Sequence, residues 1–229
     1  MILYLAAAIA AAAPSAGVCP DVVTPEAMIC RALDAQKRGD PEAGAQAFEE
    51  AAKASPEKDP ATARMWAAAG NMWLAAEQPA KAAAALDRAL KLPGLEAAQH
   101  GEALLDRARA AEAQGDLRTA RTKLGEAAAS VADDPFYWYF SAALAIREGD
   151  RGVAQSAITK ALNLAPSDPT VLFEAGHVAD FLGDQDKARN YWGRAAARDP
   201  HGPIGKAAAK AQELLGVTPT VKMETQPSK

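Results

Sequence analysis

The sequence predicts an all-α chain, a solenoid of five short helical hairpins followed by one capping helix. The first observation is alanine, which supplies 59 of the 229 residues; it is the best helix former, and its small side chain lets helices pack closely. The second is an internal repeat of 34 or 38 residues. The third is the regular return of Pro and of Gly-Asp, which mark the ends and starts of helices. Together these observations predict stacked helical pairs.

Residues 1–17 differ from the rest of the chain. Met1 to Val18 contains no charged side chain, and the apolar run from Ile2 to Ala13 is shorter than the ~20 residues that a spanning helix needs. The small residues that follow are typical of a signal-peptidase site. We therefore predict a signal peptide over 1–17, cleaved or weakly anchoring, then an N-terminal segment over 18–24. This predicts export to the bacterial periplasm, and anchoring to the inner membrane by an uncleaved N-terminus is the alternative.

Cys19 and Cys30 are the only cysteines and lie eleven residues apart. An exported chain meets an oxidising environment, so the pair predicts a structural disulfide that ties the N-terminal segment to the first helix. A redox pair usually has Cys-x-x-Cys spacing, and two cysteines without a nearby histidine make a poor zinc site.

The region from 25 to 202 repeats itself five times. A shift of 34 residues carries Gly115-Asp116 onto Gly149-Asp150 and Gly183-Asp184. A shift of 38 extends the pattern upstream and superposes Met28, Trp66 and Leu104. We expect loops around Pro56 to Pro60 and Pro93 to Leu95 to absorb the extra residues. The predicted units start near Pro25, Ala63, Gly101, Pro135 and Pro169.

Each unit reads as two helices joined by a tight turn, and the fourth unit shows this most fully. Asp134 is placed to cap the first helix, with Pro135 in its opening position. Gly149-Asp150 makes the turn. Apolar or small residues recur at helical spacing on both sides of the turn: Trp138, Ala142 and Ala145, then Ala154, Ile158 and Ala161. Pro166 closes the unit because it cannot continue a helix.

A final helix is predicted over 203–216. Ala208, Ala211 and Leu215 share one face of it, and Gly216 stops it. Such a helix would cover the apolar face of the last repeat, which an array needs for solubility. Residues 217–229 show no apolar periodicity and predict a flexible tail.

The repeated pattern resembles that of the tetratricopeptide repeat family. The best match runs from Asp168 to Pro200, and its matching positions are Leu172, Gly176, Gly183-Asp184, Ala188, Trp192, Ala195 and Pro200. The sequence departs from the pattern at Gly44, at Glu77, which replaces the turn glycine, and at Ala132, where a closing Pro is expected. The resemblance implies a right-handed α-solenoid of five repeats.

The resemblance also implies that the first helix of each repeat lines a concave groove that binds an extended peptide or a partner helix. Carrying the groove pattern onto this sequence gives one set of candidates: Arg64, Asn71, Leu105, Arg109, Phe136, Tyr139, Ala143, Arg147, Phe173, His177 and Asp180. Phe140 and Phe181 fit better as packing between neighbouring first helices. The rings at 136, 139 and 173 could equally be core residues.

No motif for catalysis is evident. The three histidines are scattered, and neither a phosphate-binding glycine loop nor a nucleophile elbow occurs. With 25 Lys and Arg against 29 Asp and Glu, the formal charge of −4 argues against nucleic acid as the main partner. We therefore expect no enzyme, metal, cofactor or small-molecule substrate.

The predicted function is a non-enzymatic scaffold that binds an envelope protein partner in its groove. The alternative is a structural subunit of a larger envelope complex, or an array that associates with itself.

Overall fold

The computed structural model describes residues 19–215, and within that range it contains eleven α-helices and no β-strand. Ten of the helices form five antiparallel hairpins, and the eleventh follows the last hairpin. The helices are α1 (Pro25–Lys37), α2 (Pro41–Ala54), α3 (Pro60–Ala75), α4 (Pro79–Lys91), α5 (Ala97–Ala113), α6 (Leu117–Val131), α7 (Pro135–Glu148), α8 (Arg151–Leu164), α9 (Pro169–Phe181), α10 (Gln185–Arg198) and α11 (Pro203–Leu215). The predicted signal peptide and C-terminal tail lie outside the described residues.

The chain divides into two compact units, with the boundary between Asp133 and Asp134. Unit 1 holds the first three hairpins, in which each helix packs on the next and α3 also packs on α5. Unit 2 holds the last two hairpins and α11, and here α7 packs on both α8 and α9. The first helices α3 and α5 of unit 1 therefore lie side by side, as do α7 and α9 of unit 2.

The aspartates that follow the turn glycines cap the second helices. The Asp150 side chain accepts a hydrogen bond from the Val153 backbone N–H at 2.9 Å, and Asp116 and Asp184 cap α6 and α10 in the same way. The preceding turn residue takes a left-handed backbone conformation, as at Gly149 with φ 75°. Glu77 takes it too, with φ 56°, although this conformation costs a residue with a Cβ about 1–2 kcal/mol.

Small residues let the two helices of a hairpin approach closely. Ala32, Ala108 and Ala142 are fully buried at one repeat position, and Gly70 and Gly176 occupy the same position in the other two hairpins. A Cβ added at Gly176 would lie 2.2 Å from the Trp192 ring, and one added at Gly70 would lie 2.4 Å from the Leu86 side chain. Glycine is therefore required where these facing side chains fill the gap.

The expectation that loops absorb the extra residues of the early repeats holds only in part, because the first helices take up most of these residues. The helices α3 and α5 are 16 and 17 residues long, whereas α1 and α9 have 13. Helix α3 begins at Pro60 and α5 at Ala97, three and four residues before the predicted unit starts at Ala63 and Gly101. Asp59 caps the extra turn of α3, and the buried Thr62 hydroxyl donates to the Pro56 carbonyl at 2.8 Å, so this turn is fixed locally.

The last helix covers the end of unit 2. Ala208 is buried against a cluster that contains Leu172 and Trp192, and Ala211 and Leu215 pack on the same cluster. This is the predicted role of a capping helix. Between residues 19 and 215, no helix is both long enough and apolar enough to cross a bilayer.

Candidate functional site

The predicted groove residues lie on the first helices, in one stripe per helix. We call these stripes the first-helix faces of unit 1 and unit 2. In unit 1 the face consists of Arg64 and Asn71 on α3 with Leu105 and Arg109 on α5. In unit 2 it consists of two stripes: Phe136, Tyr139, Ala143 and Arg147 on α7, and Phe173, His177 and Asp180 on α9.

A buried carboxylate organises the polar side chains of the unit 1 face. Asp106 is only 6% exposed. One of its oxygens accepts a hydrogen bond from the Asn71 side-chain amide at 2.7 Å, and the other pairs with the Arg109 guanidinium at 2.9 Å. Two predicted partner-binding residues are thus engaged within the protein. Asp106 was not among the predicted residues.

The other two unit 1 candidates are placed differently. Leu105 is 3% exposed, so its side chain is a core residue and offers almost no surface to a partner. Arg64 is half-buried, and its Nε is shielded from solvent without a hydrogen-bond partner among the described residues. A buried N–H without an acceptor costs free energy. The Arg64 Nε–H could therefore donate a hydrogen bond to an acceptor on a partner.

Aromatic rings dominate the α7 stripe of unit 2. The Phe136 and Tyr139 rings meet edge to face at 5.0 Å, and Phe136 stacks on Phe140 at 5.9 Å. Phe140 is buried, as expected, whereas Phe136 and Tyr139 are half-buried. Tyr139 also packs on the core of α7, α8 and α9. These rings therefore serve the fold on one side and present surface on the other.

Farther along α7, Ala143 is half-buried and Arg147 is exposed. The stripe thus passes from rings through a small side chain to a cation near the C-terminal end of the helix.

On α9, His177 stands between two aromatic rings. Its ring meets Phe173 edge to face at 4.5 Å and Trp192 at 5.3 Å. The Trp192 indole N–H donates to the Phe173 carbonyl at 3.0 Å, which fixes the positions of both residues. Burial lowers the pKa of His177, and the nearby negative charge of Asp180 opposes this effect. His177 is accordingly a neutral side chain at pH 7.

Glu174 lies on α9 between Phe173 and His177 and was not predicted as a site residue. It is half-buried, and no group within residues 19–215 hydrogen-bonds or pairs with its carboxylate. Burial raises the pKa of Glu174 to about 7, because the charged form is poorly solvated there.

The repeat pattern of the sequence could have identified both Asp106 and Glu174 as unusual residues. Cys30, Ala68, Asp106, Phe140 and Glu174 occupy one repeat position at steps of 38 and 34 residues. Two acids at a position that otherwise holds apolar or small side chains mark an unusual environment.

The two cysteines lie in disulfide geometry. Their Cα atoms are 5.7 Å apart, within the range that a disulfide spans. The neighbouring Arg31 guanidinium donates to the carbonyls of Pro20 and Val22, at 2.8 Å in each case. These contacts hold the N-terminal segment along α1.

The described residues hold no group of three or more His, Cys, Asp or Glu side chains placed to bind a metal ion. The unit 2 face presents apolar rings, the Glu174 carboxylate, which no described group pairs with, and the exposed Arg147.

A protein-family model matches most of the chain. The tetratricopeptide repeat model matches residues 31–99, 74–137 and 141–203, so the chain belongs to the tetratricopeptide repeat family. No curated protein sequence matches the chain significantly. Tetratricopeptide repeats are in general modules for protein–protein interaction, without catalytic activity of their own.

Solved structures similar to this chain share its fold. PilW, a type IV pilus biogenesis factor, is 20% identical with a TM-score of 0.66, over 81% of this chain and 82% of PilW. PilF of Pseudomonas aeruginosa is 14% identical with a TM-score of 0.63, over 83% of each chain. YrrB, described as having an unusual peptide-binding site, is 18% identical with a TM-score of 0.55, over 80% of this chain and 91% of YrrB.

These similarities confirm the predicted class, an all-α tetratricopeptide solenoid. At such identities they define the fold of this chain alone.

Proposed function

We propose that this protein is a non-enzymatic scaffold of the bacterial envelope that holds an extended segment or a helix of a protein partner on its first-helix faces. The observation that carries the proposal is the state of the rings on unit 2. Tyr139 and Phe173 pack on the core, Phe136 stacks on the buried Phe140, and all three rings remain partly exposed. Aromatic residues in such positions are favoured anchors of protein interfaces.

The two faces would contribute differently to binding. On unit 1, the Asn71 amide and the Arg109 guanidinium already bind Asp106, so a partner gains little by replacing those contacts. On unit 2, rings and aliphatic surface form most of the face. We therefore propose that the unit 2 face supplies the binding energy.

The pre-ordered helices support this mechanism. The rings sit on helices whose packing is complete without a partner, so association orders the partner rather than the scaffold. The general interaction role of the family and the unusual peptide-binding site of YrrB are compatible with it.

The test is site-specific photocrosslinking in intact cells. A photoreactive amino acid at position 139 should form adducts with one defined envelope protein, identified by mass spectrometry. The same amino acid at Gln155, exposed on the second helix of that hairpin, is the matched control and should not form this adduct. Equal crosslinking from both positions would contradict the proposed face.

Two variants separate binding from folding. Tyr139→Ala combined with Phe173→Ala should abolish partner capture while the circular dichroism spectrum keeps its helical form. Because both rings also pack on the core, Ala143→Arg provides a second variant, which adds a large charged side chain to a half-buried surface position without removing a core contact. Capture that persists in both variants would overturn the assignment to unit 2.

The envelope location is tested by fractionation and thiol trapping. We propose that the chain is exported and that Cys19 and Cys30 are oxidised to a disulfide there, which their geometry permits. Alkylation of intact cells under non-reducing conditions should leave both cysteines unmodified, and the protein should appear in the periplasmic or membrane fraction. Two free thiols in the cytoplasmic fraction would contradict this location. Sedimentation of the purified chain at several concentrations tests the alternative, self-association.

A further inference from the structure

Glu174 and Asp106 occupy equivalent positions in two repeats, but only the Asp106 carboxylate has hydrogen-bond donors within the described chain. Two steps of 34 residues separate them, and each follows by two residues the large apolar residue of its first helix, Leu172 or Leu104. In unit 1, the two donors to Asp106 are Asn71 of the preceding first helix and Arg109, one turn along the same helix.

The positions equivalent to these donors in unit 2 are Ala143 and His177. Alanine offers no donor. The His177 ring is held edge to face against Phe173 and Trp192 and makes no hydrogen bond to Glu174 within the described chain. The register therefore places an acid on α9 of unit 2 and leaves out both groups that donate hydrogen bonds to its equivalent in unit 1.

We infer that the unit 2 face takes a Lys or Arg side chain of the partner segment, whose cation pairs with the Glu174 carboxylate while adjacent apolar residues pack on Tyr139 and Phe173. The inference rests on the proposed function, for which it names the chemistry of the partner: an extended segment with a basic residue beside apolar ones.

The surroundings of Glu174 suit a cation in two ways. Phe173 and His177 flank it on the same helix, and aromatic ring faces attract ammonium and guanidinium groups. The protein as a whole carries a formal charge of −4, which favours encounter with a basic segment.

Burial of an acid without a partner also carries a free-energy cost. Partial burial raises the pKa of Glu174 to about 7, and an opposite charge brought close to a partly desolvated carboxylate offsets its desolvation. The other chemistry that this group allows is a protonated Glu174 that donates a hydrogen bond to a partner carbonyl, and the test below separates the two.

The experiment is a selection from a random peptide library displayed on phage, with the purified full chain as bait. Four baits are compared: wild type, Glu174→Gln, Asp186→Asn, and Tyr139→Ala with Phe173→Ala. Asp186 is the matched control because its exposed carboxylate lies on α10, pairs with Arg189, and loses the same charge when changed to Asn. Circular dichroism confirms that each bait keeps its helices.

We expect wild type and Asp186→Asn to select the same peptides, with Lys or Arg at a fixed distance from apolar residues. The Glu174→Gln bait should lose this preference. For the best peptide, Glu174→Gln should weaken binding about tenfold or more. Replacing the basic residue of that peptide by Gln should have the same effect, and the two changes together should cost little more than either alone.

Four outcomes would overturn the inference. Selected peptides without a basic preference, or with the same preference on Glu174→Gln, would show that no cation binds Glu174. Unchanged affinity on Glu174→Gln for a neutral peptide would instead indicate hydrogen bonding to the protonated acid. In these cases the proposed function still stands if selection is lost on the Tyr139→Ala, Phe173→Ala bait. Failure of wild type to select any peptide that depends on these rings would overturn both the inference and the proposed function.

Discussion

Unit 1 and unit 2 are built from the same hairpin, but their first-helix faces use polar groups in opposite ways. On unit 1 the buried carboxylate of Asp106 is satisfied inside the chain by Asn71 and Arg109. On unit 2 the equivalent Glu174 has no partner among the described residues, and the aromatic residues Phe173 and His177 flank it along α9. The same hairpin can therefore carry an acid that is paired within the chain or one that is not.

The difference follows from a few positions that the hairpin does not constrain. The turn residues, the caps and the small residues between helices recur in both units because the hairpin needs them. The positions of Asn71 and Asp106 are outside this set, so they vary from Asn to Ala and from Asp to Phe to Glu between repeats.

The largest effect is expected from the packing that both units share. Gly176→Ala would place a Cβ 2.2 Å from the Trp192 ring, and Gly70→Ala would place one 2.4 Å from Leu86. Each should lower the free energy of unfolding by about 2–3 kcal/mol, because overpacking forces backbone shifts. Urea unfolding followed by circular dichroism measures this. In the Gly176→Ala chain, Trp192→Ile should recover most of the loss, since Ile158 faces Ala142 at the same position; no recovery would contradict the shared packing.

Asp106→Asn is expected to destabilise unit 1 by about 2 kcal/mol, because it removes the charge that pairs with Arg109 and replaces one acceptor by a donor. The same urea measurement applies. An additional Arg109→Leu should cost little more, since the two side chains form one network. Full additivity of the two changes would show that the network is not coupled.

Glu174→Gln is expected to stabilise the protein, whereas Asp106→Asn destabilises it. Because the pKa of Glu174 is raised to about 7 in the folded protein, the folded state retains the proton while the unfolded state loses it. The stability of wild type therefore falls as pH rises from about 4.5 to 7 and remains lower above that. Glu174→Gln should stabilise the protein by about 1–2 kcal/mol at roughly pH 8.5 and by little at roughly pH 4.5. Urea midpoints at both pH values, with Asp186→Asn as control, test this; an equal shift at both would contradict a raised pKa of the half-buried Glu174.

The smallest effect is expected at the turn of the second hairpin. Glu77 has φ 56°, whereas glycine fills that place in the other four hairpins. Glu77→Gly should stabilise the protein by about 0.5–1 kcal/mol, since the relief of backbone strain exceeds the entropy cost of glycine. Gly149→Glu is the reciprocal change in unit 2 and should destabilise by a similar amount. A loss of stability in Glu77→Gly would show that the backbone at Glu77 is not strained.

Much of the fold could be predicted from the sequence because its signals are local. Gly-Asp turns, Asp-Pro helix starts and the alanine positions each act within one hairpin, and the repeat shows where they recur. The extra turns of α3 and α5 could not be predicted from the offset alone, because four additional residues fit either a loop or a helix. The capping by Asp59 and the contact of Thr62 with Pro56 determine that choice.

The candidate site was less accessible to sequence reasoning. The repeat register locates Tyr139 and Phe173 on the first-helix stripes. It does not reveal that Leu105 is buried, or that Asn71 and Arg109 bind Asp106, because both depend on contacts between different helices. Nor can a sequence pattern distinguish a satisfied acid, Asp106, from an unsatisfied one, Glu174, at the same repeat position.

The most direct test of the central claim uses two tryptophans as internal reporters. The Trp192 indole N–H donates to the Phe173 carbonyl beside the unit 2 face, and the Trp73 indole N–H donates to Glu49 within unit 1. The two indole N–H signals are followed in a nitrogen–proton correlation spectrum while the protein is titrated with the segment crosslinked to position 139. We predict that the Trp192 signal moves to saturation while the Trp73 signal stays in place. A moving Trp73 signal with an unchanged Trp192 signal would contradict docking on unit 2.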